Sequence, residues 1–180
     1  MQTATRSATH SVEESIDVAV PVHTAYNQWT QFKSFPRFMT AVKRVEQLRP
    51  NLTRWVVGAG PLRHEFTAEI VEQRPDELVA WRTLDRRAGH RGEVTFRALA
   101  ADRTEVVVSV RFEPLGVRDR LLHRTGTTSR VLRAELGHFK EFIEGLGQEG
   151  GAWRGVIRNG QVQPAEQAPP RSRVAHWPVG

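Results

Sequence analysis

The chain has 180 residues, 39% of them hydrophobic and none of them cysteine, and its formal net charge is +6. That length fits one domain with a sizeable core plus tails, and the lack of cysteine excludes disulfides, thiolate metal sites and a Cys nucleophile. Positive charge of this size attracts nucleic acid or anionic membrane, yet only three of the 26 basic residues are lysine, and the rest are scattered, densest at Arg111, Arg118, Arg120, Arg124, Arg130 and Arg133. Nucleic acid is therefore not the expected partner, while transient membrane-surface contact through this patch stays open. No stretch approaches the ~18 apolar residues of a membrane span, and residues 1–10 carry no apolar run, so a cytoplasmic protein is expected.

Residues 1–10 are small, polar and aperiodic, and read as a disordered lead-in. Val12, Ile16, Val18 and Val20 then alternate with Glu13, Ser15 and Asp17, the period of a half-buried strand, with Glu14 falling on the apolar side. Pro21 opens a short helix whose Val22, Ala25, Tyr26, Trp29 and Phe32 recur at helical spacing, and Phe35, Phe38 and Met39 continue as one more helical turn. So many large apolar side chains in so short a stretch exceed what a two-turn helix needs against one sheet, so some are candidates to wall a pocket.

From Ala41 to Pro114 the pattern is that of an antiparallel meander, with strands expected near Val42–Leu48, Thr53–Val57, Leu62–Gln73, Leu78–Leu84, Gly92–Leu99 and Thr104–Glu113. The breaks fall at Pro50-Asn51, Gly58–Pro61, Pro75-Asp76, Arg87–His90 and Ala101–Arg103. Each strand has one wet face. A long amphipathic helix follows between about Val117 and Leu146, where Leu132, Leu136, Phe139, Ile143 and Leu146 form a stripe. Continued backwards, the stripe turns small and weakly polar at Thr128 and Thr125. Either the helix closes a core at one end and lines a space at the other, or Gly126–Ser129 is a turn between two helices. A sheet with one apolar face needs a helical layer to cover it, which gives an α+β two-layer domain over residues 11–147. Residues 148–180 shift to Gly, Pro, Gln, Ala and Arg and read as a mostly disordered tail, of which 148–157 has Trp153 and Ile157 with which to dock.

The order of strand, two short helices, six strands and long helix resembles the START-like helix-grip superfamily (SRPBCC), in its bacterial polyketide cyclase/dehydrase and lipid-transport branch. The segments that carry the resemblance are IDVAVPVHTAYNQWTQFKSFPRFM, DELVAWRTLD followed by GEVTFRAL, and LGHFKEFIEGLGQEGGAWRGVI. It implies a seven-stranded antiparallel sheet curved around the C-terminal helix, with a hydrophobic cavity between them. It also implies a small hydrophobic ligand, a lipid, quinone or polyketide-like molecule, that is either carried or acted on by an aromatase/cyclase.

The residues expected to line that cavity are Trp29, Phe32, Phe38, Met39, His64, Phe66, Trp81, Phe96, Val108, Thr125 and Thr128. Acid/base chemistry there needs a titratable group with a shifted pKa. His64 is the first candidate because it shares a face with Phe66 and Ala68. Arg82 and Glu14 follow, since alternation puts each beside apolar neighbours. The seven histidines include no pair at metal-ligand spacing, so no metal is expected. Gly58-Ala59-Gly60 precedes a strand and reads as a turn. No cofactor is implied, and nothing in the sequence fixes an oligomeric state.

Overall fold

The computed structural model describes residues 10–85, 89–113 and 126–164. β1 (His10–Val18) leads into α1 (Val22–Trp29) and a 3-10 turn (Phe32–Arg37). Then come β2 (Val42–Arg49), β3 (Leu52–Val57), β4 (His64–Arg74), β5 (Leu78–Thr83), β6 (His90–Ala100) and β7 (Arg103–Phe112). The helix α2 (Thr127–Leu146) follows, and a small hairpin of β8 (Ile157–Arg158) and β9 (Gln161–Val162) comes last. The strands make one antiparallel sheet in the order β1-β7-β6-β5-β4-β3-β2, with β8 paired to β4 and β9 to β8. This is the expected α+β helix-grip architecture, but the sheet has nine strands rather than seven.

The two added strands come from the segment read as tail. Asn159 and Gly160 both have positive φ (51° and 73°), the pair of conformations that a two-residue type I′ hairpin turn requires. Ile157 beside them is fully buried, Trp153 packs against the core, and Arg154 forms a two-pronged ion pair with Asp76 (2.8 and 2.9 Å) while donating to Asn27 Oδ1 (2.8 Å). Docking therefore extends past the expected limit at residue 157. The Gly/Pro-rich composition hid a strand pair too short to show a period.

α2 starts after Gly126 (φ 68°) and ends at Gly147 (φ 66°), whose N–H bonds the carbonyl of Ile143 at 2.9 Å. A left-handed glycine is the usual way to stop a helix. The part of the expected helix between residues 117 and 125 lies outside the described residues. Four side chains of α2 seat it on β1 and on the residue that follows it. Arg133 and Ser129 both donate to the Glu14 carboxylate, Lys140 donates to the carbonyl of Asp17 (2.8 Å), and Glu144 accepts the N–H of Ala19 (2.7 Å).

The core sits between the second half of α2, the α1 segment and the sheet. Leu136, Phe139 and Ile143 are sealed from solvent there, and Trp29 lies edge-on to Phe139 (5.1 Å between ring centres), Phe35 (5.4 Å) and Phe96 (6.2 Å). Such edge-to-face pairs suit the quadrupoles of the rings. Tyr26 is also fully buried, and its hydroxyl accepts from Gln73 Nε2 at 3.0 Å. Burial pushes its pKa up to about 12. Leu146, at the end of the apolar stripe, is 44% exposed.

Candidate functional site

The sheet and the first half of α2 do not close on each other. Between them lies a cavity of about 280 Å3, near the small end of the ~300–1,000 Å3 typical of ligand pockets. α2 contributes Thr128, Val131, Leu132 and Glu135, the residues that one side of a helix presents at steps of three and four. The α1 segment adds Trp29, Phe32, Phe35 and Met39. The sheet supplies its inward-facing set, Val12, Thr53, Trp55, Phe66, Ala68, Ile70, Val79, Trp81, His90, Val108, Val110 and Phe112. Val131 is 47% exposed, which places it where the cavity meets solvent.

Of the residues expected at the site, Trp29, Phe32, Met39, Phe66, Trp81, Val108 and Thr128 line this cavity. Phe38 and Phe96 are buried in the adjoining core instead. Phe38 packs on Phe142 and Phe139 (4.7 and 5.6 Å), and Phe96 on Tyr26 (5.5 Å). Thr125 lies outside the described residues.

The three titratable candidates are placed differently from the expectation. His64 is exposed at the very start of β4, its ring 5.9 Å from Phe66 but outside the cavity wall. Arg82 points to the solvent face, where its guanidinium pairs with Glu69 at 2.7 and 2.8 Å. Both alternating sets of β5 are apolar, Val79 and Trp81 on one face and Leu78 and Ala80 on the other with Arg82, so alternation could not tell which set faced the cavity. Glu14 does face inward, but Arg133 and Ser129 hold it as an anchor for α2. The hydrogen bonds from Arg133, then Ser129, keep its carboxyl below the usual carboxylate range.

Two polar residues that the sequence reading passed over do line the cavity. His90 opens β6, at a position read as a turn. Its ring lies edge-on to Phe66 (4.9 Å between centres) and beside Phe112 (5.9 Å), its backbone N–H donates to Thr83 Oγ1 (3.0 Å), and its Nδ1 accepts the indole N–H of Trp81 (3.3 Å). Burial, reinforced by electrostatic repulsion between it and nearby His64, lowers its pKa to about 4. The ring is neutral near pH 7, and with Nδ1 acting as acceptor its proton sits on Nε2. Gly92 makes room for the Trp81 half of this pair, since a Cβ on Gly92 would meet the indole at 2.6 Å.

Glu135 is the other. It is buried on α2, and its Oε1 accepts from Thr40 Oγ1 (2.6 Å) and from the N–H of Ala41 (3.2 Å). A sequence signal for it existed: Glu135 stands seven residues after Thr128 on the inward face of α2, a carboxylate inside an apolar stripe. The remaining polar wall group on the sheet, Thr53, is spoken for by the Trp55 indole N–H (2.8 Å) and the carbonyl of Ala68 (3.2 Å).

Of the expected basic patch, Arg118, Arg120 and Arg124 lie outside the described residues, Arg111 and Arg130 are exposed, and Arg133 is committed to Glu14. No described helix is long and apolar enough to cross a membrane.

The sequence profile of the family described as "Polyketide cyclase / dehydrase and lipid transport" matches residues 18–131. A 17.2 kDa protein from an intergenic region of Streptomyces lincolnensis is 49% identical over 146 residues, 81% of this chain and 97% of that protein. A crystal structure from Deinococcus radiodurans is 30% identical with a TM-score of 0.59, over 74% of this chain and 97% of the other. An aromatase/cyclase from a Streptomyces species shares the fold at 19% identity, with a TM-score of 0.62 over 78% of this chain and 99% of the other.

Proposed function

Because the chain belongs to the polyketide cyclase/dehydrase and lipid transport family, we propose that it binds a small hydrophobic molecule, a lipid, quinone or polyketide-like compound, between the sheet and α2. The observation that carries this reading is the apolar cavity of about 280 Å3 walled by Trp29, Trp55, Phe66, Trp81 and Phe112. A space lined by rings holds water weakly and gains dispersion contact when flat apolar matter enters. His90 supplies orientation, its Nε2–H offering a hydrogen bond to a ligand oxygen. With a pKa near 4, His90 is a weak base at neutral pH, which suits anchoring better than proton abstraction. The proposal therefore favours holding the molecule over cyclising it, and the cavity walls favour fused rings over long chains.

Native mass spectrometry of the full chain purified from its own cells, followed by extraction, tests this. The expected result is one co-purifying apolar compound released on denaturation. Protein that carries nothing and also takes up no quinone, lipid or aromatic polyketide from a panel would overturn the reading.

A further inference from the structure

Phe32 belongs to the walls of two spaces, the apolar cavity and a separate cleft of about 480 Å3 that the ligand-binding reading does not use. The cleft is bounded by the turn after α1, the end of β2 and the segment that follows α2. Phe32, Pro50, Ala152 and Trp153 give it an apolar surface, and Lys33 and Arg49 give it charge. Trp153 is held there by its neighbours. Gly150 donates its N–H to Gln28 Oε1 (2.7 Å), Arg154 is pinned to Asp76 and Asn27, and Gly155 lies under the indole, where a Cβ would come within 2.3 Å of the ring. The ring nevertheless stays only half-buried.

The charge of the cleft is one-sided. Among the described residues no carboxylate lines it, and neither Lys33 nor Arg49, both exposed, has an ion-pair partner. Glu46, the carboxylate of β2, is taken by Arg44 and Arg54. Most other polar groups of the wall are committed within the fold. Thr30 donates to the carbonyl of Asn27 (2.8 Å), Gln47 to that of Arg49 (2.7 Å), and Gln73 to the Tyr26 hydroxyl (3.0 Å).

We propose that this cleft is a second binding site, for an aromatic carboxylate, with Lys33 and Arg49 holding the acid group and Trp153 the ring. A carboxylate between two cations gains charge-assisted hydrogen bonds, and a flat ring against an indole gains offset stacking. The class is an aromatic acid rather than a sugar phosphate or a nucleotide, because with Thr30, Gln47 and Gln73 committed the wall offers few neutral partners to a ligand rich in hydroxyl groups. The site goes beyond the binding of a neutral apolar molecule between the sheet and α2 and stands or falls apart from it.

The test pairs two probes that share a ring system, 2-naphthoate, which carries the acid, and 2-naphthylmethanol, its neutral counterpart. Calorimetric titration of the full chain at pH 7.5 and low salt is expected to give tighter binding of 2-naphthoate by about tenfold or more. Added salt should shrink that ratio, since both cations are exposed. Lys33→Gln combined with Arg49→Gln removes both charges at surface positions, and the ratio is expected to fall to about one. The Ala68→Phe chain, in which a ring enters the apolar cavity, is expected to keep the preference, because Ala68 lines the cavity and not the cleft. Equal binding of both probes to the native chain, or a preference that survives the loss of both charges, overturns the site. So does a native chain that binds neither probe. Loss of 2-naphthoate binding in folded Ala68→Phe protein would seat the acid in the apolar cavity, overturning the cleft while leaving the ligand-binding reading standing.

Discussion

Leu136, Phe139 and Ile143, in the second half of α2, are sealed against α1 and the sheet, whereas Thr128, Val131, Leu132 and Glu135, in the first half, look into open space. Both sets sit at the same three-and-four spacing on one helix and face the same antiparallel sheet. The difference arises opposite them. Trp29, Phe38 and Phe96 fill the room above the second half, while the first half faces wall residues whose rings lie back against one another, as Trp55 and Phe66 do at 6.3 Å with only 4° between their planes. One half of the helix holds the fold together and the other is free to serve a ligand, so substitutions should separate along its length.

The largest effect is expected in the closed half. Phe139→Ala removes a ring that touches Trp29 and Phe38, and chemical denaturation should record a loss of about 3–5 kcal/mol. Loss of less than about 1 kcal/mol would mean that this half is not the structural one.

Acid should weaken the protein from the open half. The unfolded chain protonates His90 near pH 6.5, while the folded chain holds the ring neutral to about pH 4. Below pH 6.5 the unfolded state therefore binds the extra proton, and stability falls as pH drops from 6.5 towards 4, with no contribution from this group above that window. At roughly 1.4 kcal/mol per pKa unit, the loss attributable to His90 is on the order of 3 kcal/mol. Denaturation of native and His90→Gln proteins across this range should give curves that converge as pH falls.

A smaller cost is expected at Gly92. Adding a methyl pushes on the Trp81 indole, at 2.6 Å from the ideal Cβ, and on the carbonyl of Ser109, at 2.7 Å. Gly92→Ala should lose about 1–3 kcal/mol, as overpacked sites do, and should shift the emission of Trp81 by turning its ring. The smallest effect belongs to Arg82→Ala. Its pair with Glu69 is exposed, so stability should change by less than about 1 kcal/mol and ligand uptake should be unchanged, a result that would place the chemistry of the site inside the cavity alone.

Alternation and helical period carried the fold almost completely, because the wet face of β7 and the apolar stripe of α2 are each unambiguous. They failed at β8 and β9, where two-residue strands have no period to read. The cavity residues were legible where a large ring exceeded the needs of a small core, as at Trp29, Phe32 and Met39. His90 was hidden because it follows a glycine at a turn signal, and nothing in its neighbours tells that β6 begins there. Arg82 and His64 misled for complementary reasons. Arg82 lies on a strand with two apolar faces, and His64 has the right face but too early a place on its strand to be covered. The distinction between Glu14 and Glu135 is tertiary: each is a carboxylate on an apolar face, and only the arrival of Arg133 and Ser129 at Glu14 makes one a strut and leaves the other in the cavity wall.

The most direct measurement is a titration of the full chain with 2-methyl-1,4-naphthoquinone, followed by quenching of tryptophan fluorescence, since Trp29, Trp55 and Trp81 all line the cavity. Ala68→Phe, which places a ring into the space from a buried wall position, serves as the filled control. Saturable quenching in the native protein that is abolished in a folded Ala68→Phe protein is the predicted result. Quenching that rises linearly without saturation, or that is the same in both proteins, would contradict a ligand site between the sheet and the first half of α2.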